Sequence, residues 1–277
     1  MPSQWTEVGD RVFVRRYAFF DQNIVAVLAD DEALLVDTRS TLAQARELLD
    51  DLRALGAPAV GVVVNTHGHY DHAFGNRVFR PAPIWGHSRC VTMLERTGER
   101  QREGAMASMP DIAADLAEVV IDPPDRTFLD RATLCLGDRE VELAYLGRGH
   151  TDNDIIVRVP DADVLCAGDL LENGAVPFFG DGFPVDWPAT AEGLLALVGP
   201  STVVVPGTAI TPGCRSWRRR STRSAPSRPP RAGSMPASWG SRTRSSWCRT
   251  RRPRRGSRSN GRSRSCGASS TADPSRG

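Results

Sequence analysis

THGHYDH, at residues 66–72, is the segment that decides how this chain is interpreted. It follows an apolar run and places His67, His69, Asp71 and His72 within six residues. Because residues two apart in a strand point the same way, His67 and His69 can present both imidazoles to one ion. The turn that follows then carries Asp71 and His72 toward a second ion. Imidazole and carboxylate ligands without cysteine suit zinc, with iron and manganese as open alternatives.

The spacing of the histidines indicates that they are metal ligands. Isolated histidines are more often surface residues or satisfied core residues than ligands, but the pattern HxHxDH reverses that expectation. His150, in GRGHTDND, also stands where a predicted strand ends. The sequence therefore predicts a metal site assembled at strand ends.

Apolar runs on both sides of this segment predict a mixed α+β fold. Residues 42–55 place apolar side chains on one face, with Thr41 as N-cap and Gly56 as stop, which is typical of a helix packed on a sheet. Residues 88–120 and 190–198 are also predicted to be largely helical. This order favours a sandwich of two half-domains that face each other, and it disfavours a parallel doubly wound sheet. The predicted strands cover residues 11–17, 23–28, 33–37, 60–65, 84–86, 132–136, 140–146, 154–159, 164–167 and 202–205.

The charge distribution divides the chain at Pro206. Residues 1–206 carry 17 Arg and 32 acidic side chains, whereas residues 207–277 carry 18 Arg and one acid, Asp273. After Pro206 the periodicity disappears and Ser, Arg, Pro and Gly dominate, so this part cannot build a core. We therefore predict a folded domain at 1–206 and a basic tail at 207–277 that is disordered or out of frame.

The motifs occur in the order of the metallo-β-lactamase superfamily, which the chain resembles from about residue 23 to residue 206. THGHYDH matches the first signature, GRGHTDND the second and AGDLLENG the third. The resemblance implies a four-layer αββα sandwich and a binuclear zinc site. By the family pattern, one metal is held by His67, His69 and His150, the other by Asp71 and His72, with Asp169 bridging the two.

The resemblance also implies a hydrolase that uses a metal-bound hydroxide on an ester, thioester, lactone or related bond. Coordination lowers the pKa of water from about 16 to about 7, and Asp71 would accept a hydrogen bond from that hydroxide. Asp169 resembles the thioester, lactone and phosphoester hydrolases more than the β-lactamases that place a Cys there. A β-lactamase-type amide hydrolase and a non-catalytic metal-binding protein remain alternatives.

The family's last metal ligand, a histidine in a PGHG turn, is absent from this sequence. VVVPGTAITPG places Thr208 where that histidine is expected, and no His follows His150. The loss coincides with the onset of the basic tail, which indicates one cause. One extra base before the Thr208 codon allows the segment to be read as PGHGDHAG. We therefore predict a one-base deletion near codon 207 and a protein with one tight zinc site instead of two. A genuine tail that binds nucleic acid electrostatically is the alternative.

Two further groups of residues have open roles beside the expected metals. The segment PFFGDGFPVDWP could form an aromatic wall for a small-molecule substrate, although core packing explains its aromatic residues equally well. Thr151 and Asp154 could orient His150 or could form a turn. The aromatic residues of the segment are Phe178, Phe179, Phe183 and Trp187.

The location is inferred from what the sequence does not contain. It has no apolar stretch of signal-peptide length near its start and no run of about 18 apolar residues. We therefore expect a cytoplasmic protein with no membrane span.

Overall fold

The computed structural model describes residues 5–173 and 177–209. Short 3-10 turns lie at Phe19–Asp21, Asn76–Phe79, Pro110–Ile112 and Pro160–Ala162. The helices are α1 (Leu42–Leu55), α2 (Tyr70–Ala73), α3 (Ser88–Ser108), α4 (Ala113–Ala117) and α5 (Trp187–Leu195). The strands are β1 (Thr6–Gly9), β2 (Val12–Tyr17), β3 (Gln22–Leu28), β4 (Ala33–Val36), β5 (Val60–Val64), β6 (Ile84–His87), β7 (Arg126–Phe128), β8 (Arg131–Leu136), β9 (Arg139–Tyr145), β10 (Ile155–Val159), β11 (Val164–Asn173) and β12 (Val203–Ala209).

The strands form two sheets that meet along a narrow seam. The first has the order β1-β2-β3-β4-β5-β6-β7, antiparallel from β1 to β4 and parallel from β4 to β7. The second has the order β12-β11-β10-β9-β8, in which only β12 and β11 are parallel. Thr208 of β12 pairs with Gln22 of β3 and joins the two sheets. The predicted antiparallel meander is confirmed as β2, β3 and β4.

The main hydrophobic core fills the space between the two sheets. Val27 and Leu34 of the first sheet belong to the same buried cluster as Leu143 and Ile155 of the second. All four side chains are at most 1% exposed. Because each fully buried aliphatic side chain contributes about 1.5–3 kcal/mol, this layer is a major source of stability.

Helices cover the outer face of each sheet and complete the four layers. Leu48 and Leu52 of α1 pack on the first sheet, and Leu194 of α5 packs on the second. As predicted, Thr41 caps α1 by accepting a hydrogen bond from the Gln44 backbone N–H, and Gly56 ends it in the left-handed conformation with φ +78°. The αββα sandwich predicted from the resemblance is confirmed.

Three element boundaries differ from the prediction. The largely helical stretch predicted at residues 88–120 is divided, because α3 ends at Ser108 and α4 begins at Ala113. α5 begins at Trp187 because Pro188 fits the first turn of a helix, where its missing N–H is not needed. β12 continues past Pro206, since Thr208 still pairs with Glu172 of β11.

The rest of the tail, residues 210–277, lies outside the described residues. Its disorder, the domain boundary, the reading-frame change and any binding of nucleic acid therefore stay predictions. In the described part of the chain, no helix combines the length and the apolar character that a membrane crossing requires.

The topology brings two sets of strand ends to the same edge of the sandwich. β4 and β5 are parallel, so Asp37 and the THGHYDH segment leave the first sheet on one side. β11 and β12 are also parallel, and the bulged end of β11 carries Asp169 toward the same place. The loop between β9 and β10 adds His150.

Candidate metal centre

Three histidine nitrogens meet at the edge of the sandwich. His67 Nε2 lies 3.0 Å from His69 Nδ1, which lies 2.9 Å from His150 Nε2. His67 is fully buried and His150 is 3% exposed. The structure thus brings together the first three predicted ligands, although His150 is distant from the others in sequence.

The remaining predicted residues form a second group beside the first. His72 Nε2 lies 3.4 Å from Asp71 Oδ2 and 3.4 Å from Asp169 Oδ2. Asp169 Oδ2 also lies 3.6 Å from His150 Nε2. Asp169 therefore stands between the two groups, within 3.6 Å of a histidine nitrogen of each.

The convergence has a different structural origin from the one predicted. β5 ends before His67, so His67 and His69 lie in a bend and strand alternation does not align them. Gly68 in this bend donates its backbone N–H to Asn153 Oδ1 at 2.9 Å. His69 then precedes the single turn α2, which carries the rest of the motif. A folded loop, fixed by a contact from another strand connection, places the imidazoles.

Asp37 and Thr66 determine which nitrogen of two histidines carries the proton. Asp37 Oδ2 accepts hydrogen bonds from Thr66 Oγ1 and from His72 Nδ1, both at 2.8 Å. Since the Thr66 proton is used there, its oxygen accepts from His67 Nδ1 at 3.0 Å. In its neutral form, each of these two imidazoles then carries its lone pair on Nε2, which is directed into the centre.

Burial keeps two of the imidazoles neutral. Burial and the neighbouring histidines lower the pKa of His67 well below its usual value. Burial also lowers the pKa of His150 to about 4, against the opposing charge of Asp169. Their lone pairs are therefore available to a metal ion at neutral pH.

His72 faces a concentration of negative charge. Burial lowers its pKa, but the carboxylates of Asp169, Asp71 and Asp37 outweigh burial and raise the pKa well above the usual value. These carboxylates attract a positive charge, which a proton on His72 or a metal ion can supply.

Buried atoms without a partner show that the residues fit a metal. Among the described residues, His72 Nε2 and Asp169 Oδ1 are buried and have no hydrogen-bond partner. Such groups are rare because each costs roughly 1–3 kcal/mol. The imidazole and carboxylate donors, without cysteine, are also the ligand types that zinc accepts.

Two acidic residues of the centre were missed by the sequence analysis. Glu172 Oε1 lies 3.8 Å from His150 Nδ1, and Asp181 Oδ2 lies 3.0 Å from His69 Nε2. Burial, followed by the charge of Asp169, raises the pKa of Glu172 to about 7. The only available signal was the position of Glu172 in AGDLLENG; Asp181 had none.

Thr151 and Asp154 form a turn. Asp154 accepts hydrogen bonds from the Thr151 backbone N–H and from its hydroxyl, both at 2.7 Å. Their hydrogen bonds leave the His150 imidazole untouched, and His150 Nδ1 has no hydrogen-bond partner among the described residues. The turn role, one of the two alternatives, therefore accounts for both residues.

The aromatic segment divides between the two roles considered for it. Phe178 is 59% exposed and lines the cavity above the centre, with its ring 6.3 Å from that of His150. Trp187 is buried in the core under α5 and donates its Nε1–H to the Leu170 carbonyl oxygen. Phe178 thus belongs to the cavity wall and Trp187 to the core.

The cavity has a volume of about 670 Å³ and opens above both groups. Phe20 and Tyr70 give it an apolar side, with ring centroids 5.8 Å apart. Thr208 also lines it, next to Asp169 and Glu172. The residue at the expected position of the last histidine therefore does face the centre.

Comparison with known proteins finds matches to one superfamily. A family profile described as the metallo-beta-lactamase superfamily matches residues 17–208. A metallo-beta-lactamase type 2 from Bacillus cereus is 24% identical over 179 residues, 63% of this chain and 61% of the relative. A protein of the same description from Bacteroides fragilis is 24% identical over 213 residues, 73% of this chain and 77% of the relative. The chain thus spans less than two thirds of the Bacillus cereus relative's length.

Solved structures show the same fold. A metallo-beta-lactamase from Pontibacter korlensis superposes with a TM-score of 0.63 at 20% identity, covering 79% of this chain and 96% of its own. The DIM-1 metallo-beta-lactamase superposes with a TM-score of 0.60 at 17% identity, covering 80% and 97%.

Proposed function

Because the chain belongs to the metallo-β-lactamase superfamily, we propose that it is a zinc-dependent hydrolase of ester, thioester or lactone bonds. The observation that carries the proposal is the meeting of His67, His69 and His150 nitrogens beside a second group of ligand type. A catalytic centre in this family needs metal, and the buried unpartnered atoms of this centre are suited to it.

The proposed ligands fall into two sets that share one residue. His67, His69 and His150 would hold one ion, and His72 with Asp71 would hold the other. Asp169 would contact both, because its Oδ2 lies between the two groups. A divalent metal bound there would lower the pKa of a water to about 7 and polarise the substrate carbonyl.

Asp71 is the residue best placed to orient the attacking water. Burial raises its pKa, but the positive charge of His72 outweighs burial and lowers it to about 2. The carboxylate is therefore ionised at neutral pH and can accept a hydrogen bond from water. It also lines the cavity above the centre.

The cavity wall indicates an acyl group with an apolar part. Phe20, Tyr70 and Phe178 line one continuous cavity with the metal-binding side chains. Such walls bury the apolar part of a ligand and exclude bulk water from the reacting carbonyl.

β-Lactam hydrolysis is the second candidate activity. It is favoured by the named function of the relatives, which are metallo-beta-lactamases. The carboxylate of Asp169 favours ester and thioester substrates, by resemblance to the hydrolases that carry Asp at this position. A chromogenic cephalosporin assayed beside p-nitrophenyl, thioester and lactone substrates separates the two activities.

Thr208, in place of a histidine ligand, should weaken the binding of the second ion. The ion would keep Asp71, His72 and the shared Asp169, one protein ligand short of the family set. Loss of a direct ligand should cost at least as much as the roughly 10- to 100-fold typical of residues that only orient ligands. We expect one tightly bound zinc per chain and slow turnover. Thr208→His should then add a second zinc and raise the rate together.

Zinc content and hydrolysis, measured on the same preparations, test the proposal. His67→Ala and His150→Ala should abolish tight zinc binding and turnover. His87→Gln is the matched control, because His87 lies outside the centre and bonds the Leu129 carbonyl oxygen. A purified chain that binds no zinc, or whose zinc is unaffected by the first two changes, would contradict the proposal.

A further inference from the structure

We infer that Asp181 is a positioning residue that fixes the imidazole of His69 for metal binding and ties the loop 177–186 to the centre. This inference rests on the proposed metal site. It concerns a residue that lies outside the three ligand-bearing motifs.

The geometry around His69 defines the role. His69 Nε2 lies 3.0 Å and 3.2 Å from the two carboxylate oxygens of Asp181. Its other nitrogen, Nδ1, faces His67 and His150. A neutral imidazole has one N–H, so donation from Nε2 to Asp181 leaves the lone pair on Nδ1. The hydrogen bond therefore selects the form of His69 that can bind a metal at the meeting point.

His69 depends on this contact more than its neighbours do on theirs. His67 and His72 are fully buried and are oriented by Thr66 and Asp37. The His69 side chain is 14% exposed and lies at the mouth of the centre. Without Asp181, water would satisfy either ring nitrogen and the ring would be free to rotate.

The loop that carries Asp181 is held at two points of the first group, at His69 and beside His150. Phe183 donates its backbone N–H to the Gly149 carbonyl oxygen at 2.8 Å, next to His150. Phe178, on the same loop, forms part of the cavity wall. Metal binding at His69 and the position of this wall should therefore be coupled, and linkage requires the coupling to act in both directions.

Zinc affinity, measured by competition with a chromophoric chelator, provides the first test. Asp181→Ala should weaken the tight site about 10- to 100-fold. Asp181→Asn should retain most of the affinity, because its amide oxygen still accepts from Nε2–H. Asp186→Ala is the matched control: it removes an acid of the same loop that pairs with Arg148 at 2.7 Å. Its zinc affinity should be unchanged.

Chymotrypsin cleavage after the exposed Phe178 and Phe179 provides a second measurement that is independent of activity. Zinc should protect this loop in the unmodified chain and in Asp186→Ala, but not in Asp181→Ala. The cobalt-substituted proteins should show an altered absorption spectrum only for Asp181→Ala.

The outcomes distinguish this inference from the proposed function. If the unmodified chain binds zinc and Asp181→Ala binds it equally well, the role of Asp181 is wrong and the metal site stands. An equal loss in Asp186→Ala would also overturn it, since the loop as a whole would then be responsible. A chain that binds no zinc in any form would overturn the metal site and this inference together.

Discussion

Asp37→Asn should remove the second metal by moving the proton of the His72 imidazole from Nδ1 to Nε2. The buried Asp37 accepts from the Thr66 backbone N–H through Oδ1 and from Thr66 Oγ1 and His72 Nδ1 through Oδ2. An asparagine must keep its oxygen toward the backbone N–H, which can only donate. Its NH₂ group then faces His72 Nδ1, so His72 carries its proton on Nε2, the nitrogen directed at Asp71 and Asp169.

The expected magnitude follows from the number of contacts that change. The second ion loses the lone pair of His72 as a ligand. Its binding affinity should therefore fall by at least 10- to 100-fold, or about 1.4–2.7 kcal/mol. Hydrogen bonds to a charged group contribute about 1.5–3 kcal/mol each, so the metal-free protein should also lose about 2 kcal/mol of unfolding free energy. The first site, formed by His67, His69 and His150, contacts Asp37 only through Thr66 and should lose less zinc affinity than the second.

The assay is a zinc titration with a competing chelator, performed in the Thr208→His background, where the second ion has a full ligand set. Asp154→Asn is the matched control, because Asp154 also accepts from a threonine N–H and hydroxyl but contacts no histidine of the centre. Two zincs bound with undiminished affinity in Asp37→Asn, or an equal loss in Asp154→Asn, would refute the reasoning.

Three other changes have defined outcomes. With zinc at one hundred times its dissociation constant, removal by a chelator should lower the unfolding free energy by about 2.7 kcal/mol; an unchanged melting temperature would contradict this. Gly207→Ala should cost about 1–3 kcal/mol and weaken metal binding, because its Cβ would collide with Asp169 Oδ1 and with backbone atoms; Gly193→Ala, whose Cβ has room inside α5, should cause no loss of stability in denaturant unfolding. Glu172→Gln should stabilise the metal-free protein above pH 7 by up to about 3 kcal/mol, because the pKa of Glu172 is raised from 4.5 to about 7 and each pKa unit corresponds to about 1.4 kcal/mol. The raised pKa of Glu172, about 7, means that its ionisation costs stability as pH rises from about 4.5 through 7, so the difference from the parent chain should vanish near pH 4.

Local sequence patterns determined the elements and the ligand types. The cap at Thr41, the periodicity of residues 42–55 and the left-handed stop at Gly56 predicted α1 to the residue. These features of the helix depend on neighbours along the chain, on side-chain periodicity and on backbone preference, so they can be recognised without coordinates. The four layers and the roles of the six candidate ligands were implied by the family resemblance that the order of the motifs carries.

Only the tertiary structure decided how the ligands are oriented. Asp37 and Asp181 carry no motif, and Glu172 lies in AGDLLENG without a predicted role, yet all three select imidazole protonation states or set the charge of the centre. The Asp37–His72 and Asp181–His69 contacts join residues 35 and 112 positions apart. The bend at His67 likewise lies where strand alternation was expected to align His67 and His69. Such contacts depend on which strand ends the topology brings to one edge, and neither composition nor periodicity encodes a single hydrogen bond across that distance.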